Sequence, residues 1–322
     1  MLLRIKEIAP LPMLATFALF ASLPLWIKGV GLYPYLGVEV MIWIIYALGF
    51  NLLLGYGGLP SFGHGAYFGV GAYAFGLSQL HWGFGLWGSL LSAIAAGILA
   101  GALVAAFISH RRGIYYALLT IAFGQIFWFI SIKWHSVTRG EDGLLNIKRL
   151  PADFVFASLD IQKLENLYYF CFGVFVVVIL LLWRLVRSPF GRVLAAIRQN
   201  ETRARFVGYN VWLYKWLAFV ISTLIAGLAG GLFALAQQSA YPNVMSLHQS
   251  GFVVMMALVG GGLVSFWGPV IGAVLFFIAR DLLGAYTEAW LLWYGLLFMV
   301  IVLFKPEGLA GFFTNVRSKP AA

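Results

Sequence analysis

The chain has 322 residues, 62% hydrophobic and 10% charged, with a formal net charge of +10. Soluble domains run near 45–50% apolar and about 25% charged. A mean hydropathy of +0.92 therefore leaves too little polar surface for a water-soluble enzyme, and lipid is the solvent that removes the conflict. The basic residues sit between apolar runs rather than on one face, which points to a membrane protein and away from nucleic-acid binding.

Stretches 10–27, 40–110, 113–132, 166–183 and 216–279 contain no Asp, Glu, Lys or Arg. A helix needs roughly 20 apolar residues to cross the hydrocarbon core, so several of these stretches hold more than one crossing. Period-two alternation is absent, which argues against a β-barrel. The expected fold is all-α, a polytopic transmembrane bundle of about ten spans.

In chain order, the first span covers about Pro10–Ile27. Arg4 and Lys6 precede it, and its apolar part exceeds a signal-peptide core, so it reads as retained. The second runs over about Leu36–Leu54 and ends in the Gly-rich stretch Gly55–Ser61. The third covers about Phe62–Leu80, the fourth Phe84–Ser109 and the fifth Ile114–Ile132. A polar segment, 133–165, follows, within which Leu150–Lys163 is expected to form a small cap. The sixth span covers Asn166–Arg184. A basic loop, 185–213, leads to the seventh at Tyr214–Gln237. The eighth, Ser250–Leu263, is short and open to a re-entrant reading. The ninth covers Trp267–Leu283 and the tenth Trp290–Phe304, leaving a tail, 305–322.

With both termini in the cytoplasm, 14 Lys and Arg fall inside and 7 outside, the bias of the positive-inside rule. On this orientation 133–165 is extracytoplasmic, while 185–213 and the tail are cytoplasmic. The whole chain, 1–322, reads as one transmembrane domain. The one cysteine, Cys171, lies in an apolar run and reads as a small buried hydrophobe.

The sequence contains no phosphate-binding Gly-x-x-x-x-Gly-Lys-Ser/Thr loop, no His-Glu-x-x-His, no paired cysteines and no Gly-x-Ser-x-Gly. Its five histidines, at 64, 81, 110, 135 and 248, have no metal-ligand spacing. No catalytic residue, metal or cofactor is assigned to this chain. The apolar spans are also nearly free of the ionisable groups that proton-coupled carriers keep at depth. Glu39, Arg280, Asp281 and Glu288 fall near span ends, where Arg280 and Asp281 read as an interfacial pair. Energy for active transport would then come from another chain.

Two stretches echo each other. Gly57-Gly58-Leu59-Pro60-Ser61-Phe62-Gly63 is similar to Gly261-Gly262-Leu263-Val264-Ser265-Phe266-Trp267-Gly268, followed by Pro269. Matching Gly and Pro clusters suggest discontinuous helices whose freed backbone lines a pathway. Close packing of small residues and tight interhelical turns give the same pattern. Both readings stay open for Gly57, Gly58, Pro60, Ser61, His64, Gly261, Gly262, Ser265 and Pro269. His64 either meets a substrate carboxylate or satisfies freed backbone.

The basic loop carries a turn at Pro189 and Gly191. Leu194, Ile197, Glu201, Ala204 and Gly208 then fall at helical spacing, predicting one short cytoplasmic helix. Ala204 and Gly208 are four apart, a small face on which a partner can approach closely.

In that segment the chain resembles the permeases of ABC importers, specifically the branched-chain amino acid permeases of the LivM/LivH type. Four stretches carry the likeness. The first is Gly55–Tyr73, with Gly-Gly-Leu-x-Ser-Phe-Gly-His-Gly-Ala. The second is Arg112-Gly113-Ile114-Tyr115-Tyr116-Ala117-Leu118-Leu119-Thr120-Ile121-Ala122-Phe123-Gly124-Gln125-Ile126. The others are Arg187–Gly231 and Leu258–Ala273, and Lys305-Pro306-Glu307-Gly308-Leu309 closes the domain. Length and the Arg-Gly-Ile-Tyr-Tyr-Ala-Leu stretch favour the LivM member. The resemblance implies a bacterial inner-membrane importer of two permease chains, this one paired with a LivH-like chain. Two ATPase subunits would bind ATP and Mg, and a periplasmic binding protein would deliver the solute. It places Arg198, Glu201, Ala204, Arg205 and Gly208 at the ATPase contact. Relatives carry Thr-Gly-Gly after the fifth span, where this chain has Thr138-Arg139-Gly140, so Arg139 puts a charge where glycine is usual. Importers of urea or short amides use similar permeases. A passive channel or secondary carrier for a small neutral solute is the alternative from another class.

Overall fold

The structure is a computed structural model that describes residues 10–153, 158–261, 265–304 and 308–309. Gly262, Lys305-Pro306-Glu307 and both ends of the chain lie outside the described residues, and so does the expected cytoplasmic placement of the termini.

The described chain is helical nearly throughout. It runs through α1 (Pro10–Trp26), α2 (Pro34–Asn51), a π-helical turn (Leu52–Gly57), α3 (Gly65–Trp82), α4 (Leu86–Ile108), α5 (Gly113–Lys133) and the short α6 (His135–Thr138). A two-residue hairpin, β1 (Ala152–Asp153) and β2 (Ser158–Leu159), precedes α7 (Leu164–Arg187), α8 (Pro189–Gln199) and α9 (Glu201–Phe206). Then come α10 (Val211–Gln237), a 3-10 turn (Pro242–Met245), α11 (Leu247–Gly261), α12 (Gly268–Tyr286) and α13 (Trp290–Phe304). The all-α expectation holds, and every expected span meets an apolar helix. By length and composition, six helical segments can cross a membrane: α2 with its π turn, α4, α5, α7, α10 and α12.

The helix α2 is apolar all round and 94% of its spanning window is buried, the mark of a helix inside a bundle rather than on its surface. It packs on α7, α10, α11 and α12, while α10 also packs along α3 and α4. In lipid the hydrophobic effect does not drive helices together, so close approach by small residues takes over. Gly71 meets Gly227, Gly97 meets Thr223, and Gly230 lies against the Phe68 carbonyl. By contrast, only 22% of the α5 spanning window is buried.

Two helices begin inside the bundle. The N–H of Gly65, first residue of α3, donates to Ser250 Oγ in the first turn of α11 at 2.8 Å. The preceding His64 contacts Ser222, which lies eleven residues into α10, about 17 Å along it at 1.5 Å per residue. Segment 58–64 therefore enters from one end of the bundle, and segment 238–246 from the other. The second entry, at Gln238–Ser246, was not expected from the sequence. The segment after α6 lies over it. Leu144 bridges Ala240, the Ile147 N–H donates to the Gln238 carbonyl, and the Arg149 guanidinium donates to the Ala236 carbonyl at 2.7 Å.

Arg139 occupies the left-handed region, φ 61° and ψ 18°, where it ends α6. Only glycine adopts that geometry without cost. Arg139→Gly is expected to stabilise the chain by roughly 1 kcal/mol, read as a higher melting temperature in detergent. A Cβ on Gly230 would overlap the Phe68 carbonyl oxygen, whereas Gly173 has nothing within 4 Å. Gly230→Ala should lower stability by about 1–3 kcal/mol. Gly173→Ala should leave it unchanged or slightly raised in the same measurement.

Candidate functional site

The basic loop folds as two helices, not one. Ser188 and Pro189 start α8, with Pro in its first turn where the missing N–H costs nothing. Asn200 then turns extended, φ −159° and ψ 102°, and its Oδ1 accepts the Arg203 N–H at 2.8 Å as the N-cap of α9. This break removes the expected common face of Leu194, Ile197, Glu201, Ala204 and Gly208. Ala204 turns inward and packs with Val193, Ile197 and Val211. Gly208 lies beyond α9 at φ +98°, so the two small residues do not share a helical face. What projects instead is apolar: Phe206 is 86% and Val207 71% exposed.

Glu201 and Arg198 also face the protein. Glu201 pairs with Arg205 at 3.4 Å and with the buried Lys215 of α10 at 3.6 Å. The Lys215 ammonium also donates to the Arg111 carbonyl at the α4–α5 turn. Arg205 is exposed. The Arg198 guanidinium donates through Nη1 to the Gly55 carbonyl in the π turn. Desolvation pulls the Arg198 pKa below its ordinary value, and the carbonyl offsets that cost.

The π turn explains why Gly55 is available. Gly58, at φ 64°, closes it: the Gly58 N–H donates to the Leu54 carbonyl and the Leu59 N–H to the Leu53 carbonyl. This Schellman-like closure leaves the last carbonyls without partners inside the helix. The sequence set the start of this break at Gly55; helical geometry continues to Gly57.

Beyond Gly58 the chain is pinned residue by residue. The Phe62 N–H donates to Thr120 Oγ1 at 3.1 Å. A Cβ on Gly63 would overlap the Thr120 carbonyl. The Ser222 hydroxyl donates to the Gly49 carbonyl at 2.7 Å and lies 3.0 Å from His64 Nε2. With that proton committed, His64 Nε2–H donates to Ser222 and Nδ1 is a bare acceptor. His64 Nδ1, Ser61 Oγ and the hydroxyls of Tyr46 and Tyr67 are buried without a hydrogen bond. The His64 ring stacks on Tyr46 at 5.7 Å and packs against Phe50, Tyr67 and Phe219. Pro60 is partly buried in this segment.

The second echo does a different job. Gly261 and Gly268 meet backbone to backbone, Gly260 lies against the Gly268 carbonyl, and Pro269 sits in the first turn of α12. This is a tight α11–α12 turn. The Asn51 Nδ2 donates to the Ser265 carbonyl at 3.2 Å, so this turn is tied to the first break.

At the opposite end, Arg280 makes a two-pronged pair with Glu39, at 2.9 and 3.1 Å, and a third contact with Asp281 at 3.2 Å. Asp281 was the partner expected from adjacency; the two-pronged partner is Glu39, 241 residues away. Among the described residues no group of three His, Cys, Asp or Glu side chains is placed to hold a metal ion. Asn51, Thr120, Ser222 and Ser250 were missed. Their signal was a polar side chain alone in an uncharged run, which requires a partner at depth.

The family described as "Branched-chain amino acid transport system / permease component" matches residues 35–305. The chain is 31% identical to the high-affinity branched-chain amino acid transport system permease protein LivM of Escherichia coli, over 84% of this chain and 68% of that one. It is 24% identical to a probable LivM of Methanocaldococcus jannaschii, over 84% and 92%. It is also 26% identical to the guanosine ABC transporter permease protein NupQ of Bacillus subtilis, over 65% and 67%. No solved structure matches the chain. On the family match and the LivM likeness, the chain belongs to the permease components of branched-chain amino acid transport systems, a family of transport subunits rather than enzymes.

Proposed function

We propose that this chain forms half of the membrane pathway of an ABC importer for branched-chain amino acids, in a bacterial inner membrane. A second permease completes the pathway, two ATPase subunits supply ATP and Mg, and a periplasmic binding protein delivers the solute. Ten crossings with both termini cytoplasmic is the arrangement that best fits the charge bias.

The observation that carries this reading is the α8–α9 segment. It is tied inward by Arg198, Glu201 and Ala204, yet ends in the exposed Phe206–Val207 tip. A membrane protein with no nucleotide site of its own has no need to present an apolar tip next to Arg203 and Arg205 unless a partner covers it. Interfaces of this kind are anchored by aromatic residues. The break at 58–64 is the candidate pathway element, because buried groups left unpaired in one arrangement favour a second in which they are satisfied. Amino-acid transport is preferred over nucleoside transport because the LivM relatives match a larger share of this chain than the nucleoside permease does.

The test is reconstitution of the chain with its companion permease, ATPases and binding protein in liposomes. Labelled leucine, isoleucine or valine should enter only with ATP and the binding protein. Urea, a short amide and guanosine should not enter. Uptake by this chain alone without ATP would overturn the importer reading in favour of a channel or secondary carrier. Phe206→Ala should leave the chain in the membrane but weaken ATPase association on the order of tenfold to a hundredfold, measured by titrating ATPase subunits onto the membrane complex.

A further inference from the structure

The inward ties of the α8–α9 segment differ in where they lead. Glu201 and Ala204 reach the start of α10, a long continuous helix. Arg198 alone among these residues reaches a broken one. Its guanidinium holds the Gly55 carbonyl, and its stem packs on Gly58, where a Cβ would sit 2.8 Å from Arg198 Cγ. Leu194, one turn earlier on α8, packs beside Gly57, 3.5 Å from where a Cβ would stand. One face of α8 therefore grips the last turn of the helix that leads into the break.

That turn is suited to move. A π turn is strained relative to α-helix and clusters at functional sites. Its closing residue, Gly58, is in the left-handed region. A displaced carbonyl end is transmitted along a short, pinned strand, 58–64, to His64 and Gly65. These two residues in turn hold Ser222 of α10 and Ser250 of α11. A positive guanidinium at a helix C-terminus also meets the negative end of the helix dipole, so charge attraction adds to the hydrogen bond.

We propose that Arg198 is a positioning residue: the Arg198–Gly55 joint carries movement of the α8–α9 segment into the π turn and the break at 58–64. This rests on the importer reading and deepens it. Arg198 acts through the Gly55 carbonyl. Its loss disconnects two processes that each continue.

The experiment uses the complete transporter in proteoliposomes, with ATP hydrolysis and leucine uptake measured on the same preparation. R198A should lower the leucine moved per ATP hydrolysed about tenfold, a ratio that a parallel change in ATPase association does not move. R198K, which retains the stem against Gly58 and a donor for the carbonyl, should recover at least half of the lost ratio, to about that precision. An unchanged ratio in R198A, a proportional loss of hydrolysis and uptake, or no recovery in R198K would overturn the joint. If R198A does not assemble, R198Q is read by the same ratio, since it keeps most of the stem and loses the charge. A wild-type complex that fails to couple ATP to uptake refutes the importer reading itself, whatever Arg198 does.

Discussion

A helix interrupted inside hydrocarbon exposes backbone N–H and C=O groups that lipid cannot satisfy. Most of the polar chemistry within this bundle answers that constraint at residues 52–65. Three side chains serve backbone groups there, Arg198 for the Gly55 carbonyl, Thr120 for the Phe62 N–H and Ser250 for the Gly65 N–H, while beside it Asn51 serves the Ser265 carbonyl and Ser222 the Gly49 carbonyl. These residues come from α2, α5, α8, α10 and α11, so the break joins helices far apart in sequence.

The same constraint sorts the glycines. At Gly58 the backbone needs the left-handed region, and at Gly63, Gly71 and Gly230 another backbone approaches too closely for a Cβ. Such approach replaces the hydrophobic drive that is missing in lipid with dispersion and short backbone contacts. It also makes the packing intolerant of drift: α3 lies so near α10 that a change in one must be met by the other. The peripheral α5 is held more loosely and touches the break through Thr120 and Gly124.

Much of this was legible from sequence because hydrophobicity and length decide which segments can be membrane helices, and the apolar runs are long. The ten apolar helices fell where uncharged runs predicted them, and the Gly-rich stretch at 55–61 marked a true interruption. Repetition of Gly-Gly-Leu-x-Ser-Phe drew attention to 261–268, where Gly261 closes on Gly268 between α11 and α12, while the entry at 238–246 carries no echo. Spacing also treated 194–208 as one helix, because periodicity has no means to register that the Asn200 side chain caps a new one. Long-range pairs such as Glu39 with Arg280 and Glu201 with Lys215 leave no local trace at all.

The two interruptions enter from opposite ends and come together where the Gly65 N–H meets Ser250 and Met245 packs on Gly69. Continuous helices would transmit a push at one end as a rigid displacement of the whole bundle. Here α3 and α11 abut in the interior instead, linked through the Ser250 hydroxyl. The end carrying α8 and α9 is bound to its interruption through Arg198. The other interruption is held by the segment after α6, through Leu144 with Ala240 and Arg149 with the Ala236 carbonyl. A bundle with almost no buried charge in its described spans is thus anchored by a side chain at each of its two interruptions.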